Sequence, residues 1–513
     1  SFVLLINSCS NNVTPSPQPI HFFNANIITM NPDKPFANSF VVTGNKITLI
    51  DGKNDSPSLK NTKKIDLSGK TVLPGIIDSH VHIRELGMDS LKANLVGVSG
   101  VKEIVERLKD KFPSPAAGDW LIGQGWDEGS FASTGYLDRR LLDIAFPNNP
   151  VALESLHGFA GLYNGYALKL ANIDSSTEDP DVGNIIRRMN GEPTGVMLTL
   201  AQNLIQPLIP EPSDKKIKDA IIAGLNTMAS AVVTSIHEAG MTPKDVKAFI
   251  SLAESNALPV RVYGMLDGNN DELMKHWFAR GPLIDKSDFL DIRSIKVFYD
   301  GSLGSRTALM EEPYSDQLGK SLATERISTK KILHLGRKAA DKGFQMAVHA
   351  IGDKGNNQVL KLYEEILDTD DIFDHRWRIE HAQVLFPSFY SRAAELNVLA
   401  SMQSSHAVGD SKWAEERIGS ERIQDAYAWQ NILKSGVRLL LNSDLPGEPW
   451  KPMETLYFAV NRKPLDSTKE AEGWYMKQAL TVGEALKAMT IENAHGAFQE
   501  KKLGSIEINK FAD

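Results

Sequence analysis

His80 and His82 stand one residue apart at the end of the short run Ile76-Ile77-Asp78-Ser79-His80-Val81-His82. Alternate side chains of an extended strand share a face, so both imidazoles reach the same side of the backbone. There they can converge on one divalent cation. A lone His-x-His pair is weak, because such pairs also occur as ordinary surface or core residues. Lys296, His349, His381 and Asp444 add weight, since each also closes an apolar run further along the chain. Imidazole and carboxylate donors suit zinc first, with manganese, iron or cobalt as alternatives.

The chemistry implied is metal-assisted hydrolysis. His80, His82 and Asp444 would hold one ion, and His349 with His381 a second. Two neighbouring cations repel, so an anion must lie between them. Lys296 cannot ligate as an ammonium, but addition of carbon dioxide to its amine gives a carbamate with one oxygen for each metal. The competing reading pairs Lys296 with Asp300, four residues on and on the same strand face. Four histidines and Asp444 around it favour the carbamate. Water shared by two such ions is acidified towards neutrality. Asp444 would then carry its proton to a leaving nitrogen, with no separate nucleophilic side chain.

Other polar residues are candidates for the surroundings. Ser302 and Arg306, in Asp300-Gly301-Ser302-Leu303-Gly304-Ser305-Arg306, could bind a substrate carboxylate or amide; Arg306 could instead pair with Asp300 or Glu311. The glycines there would allow close backbone approach to a substrate. Asp300 and Asp353 are expected behind the ligands, Asp353 as the acceptor that orients a histidine. Gln403 and His406 could face the substrate, as could Trp126 and His157 from the long excursion that follows the first strand.

These residues need a scaffold that gathers strand ends. Eight strand-like runs are legible: Val72–Ile77, Val232–Ile236, Val260–Met265, Ile292–Val297, Phe344–Val348, Arg376–Glu380, Val398–Gln403 and Val437–Asn442. Helical patterns lie between them. Thr242-Pro243-Lys244-Asp245 opens one with a cap and a first-turn proline. Val359, Leu360, Tyr363, Ile366 and Leu367 stripe another over Gly355 to Leu367. The alternation predicts an α/β fold, a (β/α)8 TIM barrel over about residues 73–490, whose chemistry sits at the C-terminal strand ends. All six candidate ligands fall there. Short β runs over 19–72, and again over 491–513, predict a small β-sandwich built from both chain ends. The excursion over about 85–206 is too long for a simple crossover and is expected to cap the barrel mouth.

The bulk of the sequence is ordinary for a folded domain, with 42% hydrophobic and 23% charged residues. A formal charge of −8 and the absence of a basic run argue against a nucleic-acid partner. The expected partner is a small-molecule substrate, and the sequence leaves room for a homodimer. The single cysteine, Cys9, excludes an internal disulfide. Phe2-Val3-Leu4-Leu5-Ile6-Asn7-Ser8-Cys9 reads as the tail of a lipoprotein signal, with residues 1–18 as signal remnant and tether. That implies a bacterial cell envelope location, lipid-anchored or periplasmic, with the cytoplasm as the alternative. Membrane contact is expected only through that anchor, because no other segment approaches the roughly 20 apolar residues of a span.

The motifs also carry a resemblance. Val72-Leu73-Pro74-Gly75-Ile76-Ile77-Asp78-Ser79-His80-Val81-His82 resembles the first-strand motif of the amidohydrolase superfamily. Gly191-Glu192-Pro193-Thr194-Gly195-Val196, the run from Lys296 to Ala308, Val348-His349-Ala350-Ile351-Gly352-Asp353, Arg378-Ile379-Glu380-His381-Ala382-Gln383, Ser443-Asp444 and Gly504-Ser505-Ile506-Glu507 narrow the likeness to its YtcJ-like subgroup. That subgroup includes N-substituted formamide deformylase. The resemblance implies a metal-dependent hydrolase of non-peptide carbon–nitrogen bonds (amide, formamide or cyclic amide) with His80, His82, Lys296, His349, His381 and Asp444 as ligands. It also implies further strands beyond Asp513, so the sandwich is expected to lack its last strands. Two other functions stay open from the residues: a mononuclear deaminase of an amino-heterocycle, and a lipoprotein that binds without turnover.

Overall fold

The structure, a computed structural model, describes residues 17–513 except 53–58, 60–61, 90, 127–136, 156–159, 181–182, 305, 317–322, 324, 368–373 and 469–470. Cys9 with its signal-like segment, and His157, lie outside the described residues. Among the described residues no helix is long and apolar enough to cross a membrane. The chain divides into two compact units.

The first unit holds the barrel. Its strands are β1 (Ile76–Val81), β2 (Val233–Met241), β3 (Arg261–Asp267), β4 (Leu290–Phe298), β5 (Gln345–Ala350), β6 (Arg378–His381), β7 (Leu399–Gln403) and β8 (Leu439–Asn442). They neighbour one another in chain order, and each pair from β1–β2 to β7–β8 is parallel. A short strand, Leu283–Ile284, adds to β4 antiparallel. All eight expected strands are present, so the α/β TIM-like barrel is the fold. Between β1 and β8 the ring is joined by a parallel bridge from Val81 to Leu445. There Asp444 N donates to His80 O at 3.0 Å and His82 N donates to Leu445 O at 3.1 Å.

The first strand differs from its expected span. The run beginning at Val72 is two strands, because Pro74 lacks a ladder donor and interrupts it. Thr71–Val72 pairs with Asn26–Ile28 in a three-stranded sheet with Phe36–Ala37, and β1 starts afresh at Ile76. A second N-terminal sheet orders Lys46–Ile50, Phe40–Thr43, Ile20–Phe23 and Lys63–Asp66. The chain end joins this region: Ile506 N donates to Thr29 O, Ile47 N to Lys510 O, and Asn509 N to Ile47 O. Ala25, Ile27, Ala37, Ile47 and Ile506 share its small core.

The second unit spans Ile83–Thr227 and Pro243–Pro259. Its six-stranded sheet orders Gly183–Arg187, Pro193–Thr199, Ala160–Tyr163, Val151–Ser155, Leu121–Trp126 and Ala93–Asn94. Trp126, expected at the substrate, is fully buried in this unit's core beside Leu121, Val151 and Leu162, and its indole N–H donates to Leu153 O. It is a packing residue here. A tryptophan ending an apolar strand satisfies its one donor most cheaply on the neighbouring strand's carbonyl.

Candidate metal centre

The six expected ligands all lie at or just beyond the C-terminal ends of barrel strands: His80 and His82 with β1, Lys296 in β4, His349 in β5, His381 in β6 and Asp444 after β8. Asp444 faces both ring edges of the pair, with Oδ1 at 3.4 Å from His80 Nε2 and 3.3 Å from His82 Nε2. Lys296 Nζ lies 3.1 Å from His80 Nε2. The ring centroids of His349 and His381 are 4.4 Å apart, and those of His80 and His381 5.3 Å. Donor atoms of His80, His82 and Asp444 lie within 4.8 Å of one another, and so do those of His381, His406 and Asp444. His349, expected beside His381 as a ligand, is not in that second group; His406, expected at the substrate, is.

Three imidazoles have their tautomer set from behind. His80 Nδ1 donates to Glu380 Oε2 at 2.5 Å, His381 Nδ1 to Gln403 Oε1 at 2.9 Å, and His349 Nε2 to the Gly301 carbonyl at 3.2 Å. Each bond leaves the other ring nitrogen with a lone pair, as metal-binding histidines require. His349 Nδ1 is buried without a hydrogen-bond partner. That orphan atom, on a ring whose centroid is 4.4 Å from that of His381, fits a cation. A polar atom left alone in a purely packed core would be costly.

Electrostatics keep the donors in ligating form. Burial, reinforced by Lys296, brings His80 down to about 4. Burial and His349 hold His381 well below the ordinary histidine value. Burial alone would raise the Asp444 carboxyl, but His80, His82 and His381 hold it well below the usual range. Neutral imidazoles around an ionised carboxylate are the protonation states that metal binding needs. Burial also lowers the Lys296 amine to about 8, against the opposing pull of Glu380 and Asp444.

The residues behind the ligands partly differ from expectation. Asp300 does not pair with Lys296. Its carboxylate accepts from the backbone N–H groups of Ile351 (3.0 Å), Gly352 (2.9 Å) and Leu309 (2.9 Å), and lies 3.4 Å from His349 Nε2. It therefore fixes the loop after His349. Gly352 permits this, because a Cβ there would stand 2.0 Å from Leu309 O. Asp353 orients no histidine: it accepts from the Glu311 and Lys354 backbone N–H groups at the start of its helix. Gln403 is buried and spans His381 and Asn442, to which its amide donates at 2.7 Å, so it is a positioning residue. Arg306 pairs with Asp316, ten residues on, and not with Asp300 or Glu311. Ser302 is exposed, and the glycine before it packs against its own loop, where a Cβ would meet Thr307 Oγ1 at 2.0 Å.

Glu380 is the residue that sequence reasoning missed. It is fully buried, accepts from Ser401 Oγ at 2.6 Å, and stands 2.5 Å from Arg378 Nε. Burial would raise its carboxyl, but Arg378 and His80 hold it well below the usual range. Arg378 continues inward to His237 Nδ1 at 3.1 Å and to the Ser79 carbonyl at 3.1 Å. The signal was available: two opposite charges at i and i+2 in a short buried strand share one face.

With this geometry in view, the comparisons are specific. A sequence model described as the amidohydrolase family matches residues 63–513. A Bacillus subtilis protein named as an amidohydrolase, YtcJ, is 32% identical over 88% of this chain and 84% of its own length. The N-substituted formamide deformylase of Arthrobacter pascens is 25% identical over 96% of this chain and 91% of that one. Among solved structures, an uncharacterized metal-dependent hydrolase from Pyrococcus horikoshii matches with a TM-score of 0.81 and 25% identity, covering 96% of each chain.

Proposed function

The chain belongs to the amidohydrolase family and is a metal-dependent hydrolase, and from that premise we propose that it cleaves a non-peptide carbon–nitrogen bond in a small amide, formamide or cyclic amide. The observation that carries this reading is the Asp444 carboxylate, 3.4 and 3.3 Å from the ring nitrogens of His80 and His82. His80, His82 and Asp444 would hold one ion, zinc by preference of the donor set. His349 and His381 would hold another, with a carboxylated Lys296 between the two. A divalent cation bound there supplies Lewis acidity, lowering the pKa of water and polarising a carbonyl.

The side chains supply the rest. Asp444, kept ionised by its histidines, accepts a proton from the attacking water as the carbon–oxygen bond forms. It returns that proton to nitrogen as the carbon–nitrogen bond breaks. Glu380 holds the His80 ring in place. An amine brought down to about 8 is more often neutral, the form that adds carbon dioxide, which supports the Lys296 carbamate.

The likeness to a formamide deformylase makes N-substituted formamides the first substrates to test, beside simple and cyclic amides. The zinc- or manganese-loaded protein is expected to release amine from at least one of them. Asp444→Asn is expected to abolish release while metal stays bound. Silence of the loaded native protein across the panel, or an Asp444→Asn variant as fast as the native one, would overturn the proposal.

A further inference from the structure

We propose that His406 is a metal ligand of this centre, at the position that His381 faces. The inference rests on the metal-centre reading above and adds a donor to it. His406 lies on the short helix Ser404–Asp410, which begins directly after β7. Its ring is parallel to that of His381, with 10° between the planes and 5.7 Å between centroids. Its Nε2 stands 3.7 Å from Asp444 Oδ2, the carboxylate oxygen turned away from His80 and His82.

That spacing needs a physical cause. It is too long for an N–H···O hydrogen bond, which ends near 3.2 Å. It is too short for a bridging water, which would need roughly 4.5 Å between its partners. Two donors bound to one ion at about 2.0–2.1 Å in tetrahedral array stand roughly 3.4 Å apart, and further at wider angles. The first group shows the same signature, at 3.4 and 3.3 Å from Oδ1. Asp444 thus presents Oδ1 to His80 and His82 and Oδ2 to His406 at a similar spacing.

The rest of the surroundings agree. His381 spends Nδ1 on Gln403, so its Nε2 is the free donor. Among the described residues the His406 imidazole has no hydrogen-bond partner that would explain its orientation. Asp410, one turn on, is engaged by Gln383 at 3.1 Å and Tyr427 at 2.5 Å through its Oδ2. A histidine that only contacted substrate would not need to stack on a ligand or aim at a carboxylate already serving two other imidazoles.

The test compares native full-length protein with His406→Ala and His406→Gln. Each is stripped of metal, titrated with Zn2+ or Co2+, and followed by metal content, the Co2+ absorption spectrum and thermal melting. The metal-free variants are expected to melt close to the native protein, because the apo fold loses no hydrogen bond of His406 and only its stacking on His381. One metal equivalent should bind at least tenfold more weakly, with a changed Co2+ spectrum and a smaller metal-induced rise in Tm. His349→Ala should weaken the same equivalent, and His82→Ala the other. Native metal affinity and spectrum in both His406 variants, with only turnover reduced, would overturn the proposal in favour of a substrate contact. A lower Tm already in the metal-free state, with unchanged affinity, would overturn it in favour of a structural role. If the native protein binds no ion at all, the metal-centre reading itself fails, a result distinct from either.

Discussion

His80 Nδ1 and Glu380 Oε2 lie 2.5 Å apart, and neither side chain meets solvent. The carboxylate holds the imidazole in the one tautomer whose Nε2 faces Lys296 and Asp444. Arg378 in turn holds the carboxylate, so the orientation of a ring at the site is set by an ion pair in the barrel interior.

Glu380→Gln therefore reaches the site without touching it. An amide can still accept from His80, but Arg378 is left as a buried charge without its counter-ion. Metal affinity is expected to fall about 10–100-fold, with a loss of roughly 3–5 kcal/mol in stability. Metal titration and urea unfolding measure the two separately. Native affinity in the variant would remove Glu380 from the account.

Lys296 offers a test through carbon dioxide. Protein stripped of metal and bicarbonate is expected to stay inactive when zinc alone returns, and to recover when bicarbonate is added. Only the neutral amine reacts, and its pKa is about 8. At constant dissolved carbon dioxide, recovery should slow about tenfold for each pH unit below that value. Recovery without bicarbonate, or a fully active Lys296→Arg, would rule the carbamate out.

Asp300→Ala leaves three backbone N–H groups, of Ile351, Gly352 and Leu309, without their acceptor. Each buried unsatisfied donor costs about 1–3 kcal/mol, so a total of about 3 kcal/mol or more is expected. The same change frees the loop behind His349. Denaturant unfolding should show the loss in metal-free protein; a variant within experimental error of the native one would contradict these contacts.

His495 lies away from the metal centre and gives a pH dependence. Burial, then the nearby charges of Arg376 and Arg438, lowers it from 6.5 to about 4. Between those values the unfolded chain binds the proton and the folded chain does not. Its contribution to stability is intact above 6.5 and is lost as pH falls towards 4. Discounted for partial exposure, the loss is roughly 1 kcal/mol between about pH 7 and about pH 5. His495→Gln should escape it. Parallel melting curves for both proteins across that range would refute the assignment.

What was legible in the sequence follows physical lines. The barrel could be read because eight apolar runs recur with helical stripes between them, and both patterns are local. The ligands could be read because a histidine or aspartate at a strand end is chemically conspicuous. Positioning residues could not. Gln403 meets His381 across neighbouring strands, and Asp353 looks the same in sequence whether it caps a helix or orients a ring. Glu380 and His381 are adjacent and should face opposite sides of a strand. The backbone turns at His381 (φ 73°) and Ala382 (φ 41°), so both side chains serve the centre. Trp126 could not be placed, because burial among the strands and helices of its own unit depends on strand order, which spacing does not encode.

The ring of strands is fastened between His80 and Asp444, and between His82 and Leu445, by the same stretches of chain that present the donors. Any thermal opening of that seam pulls the imidazole pair away from the carboxylate while every helix is still wound. A gently warmed sample should go silent before its circular dichroism changes, and a tightly held ion should act as a clasp that postpones both events.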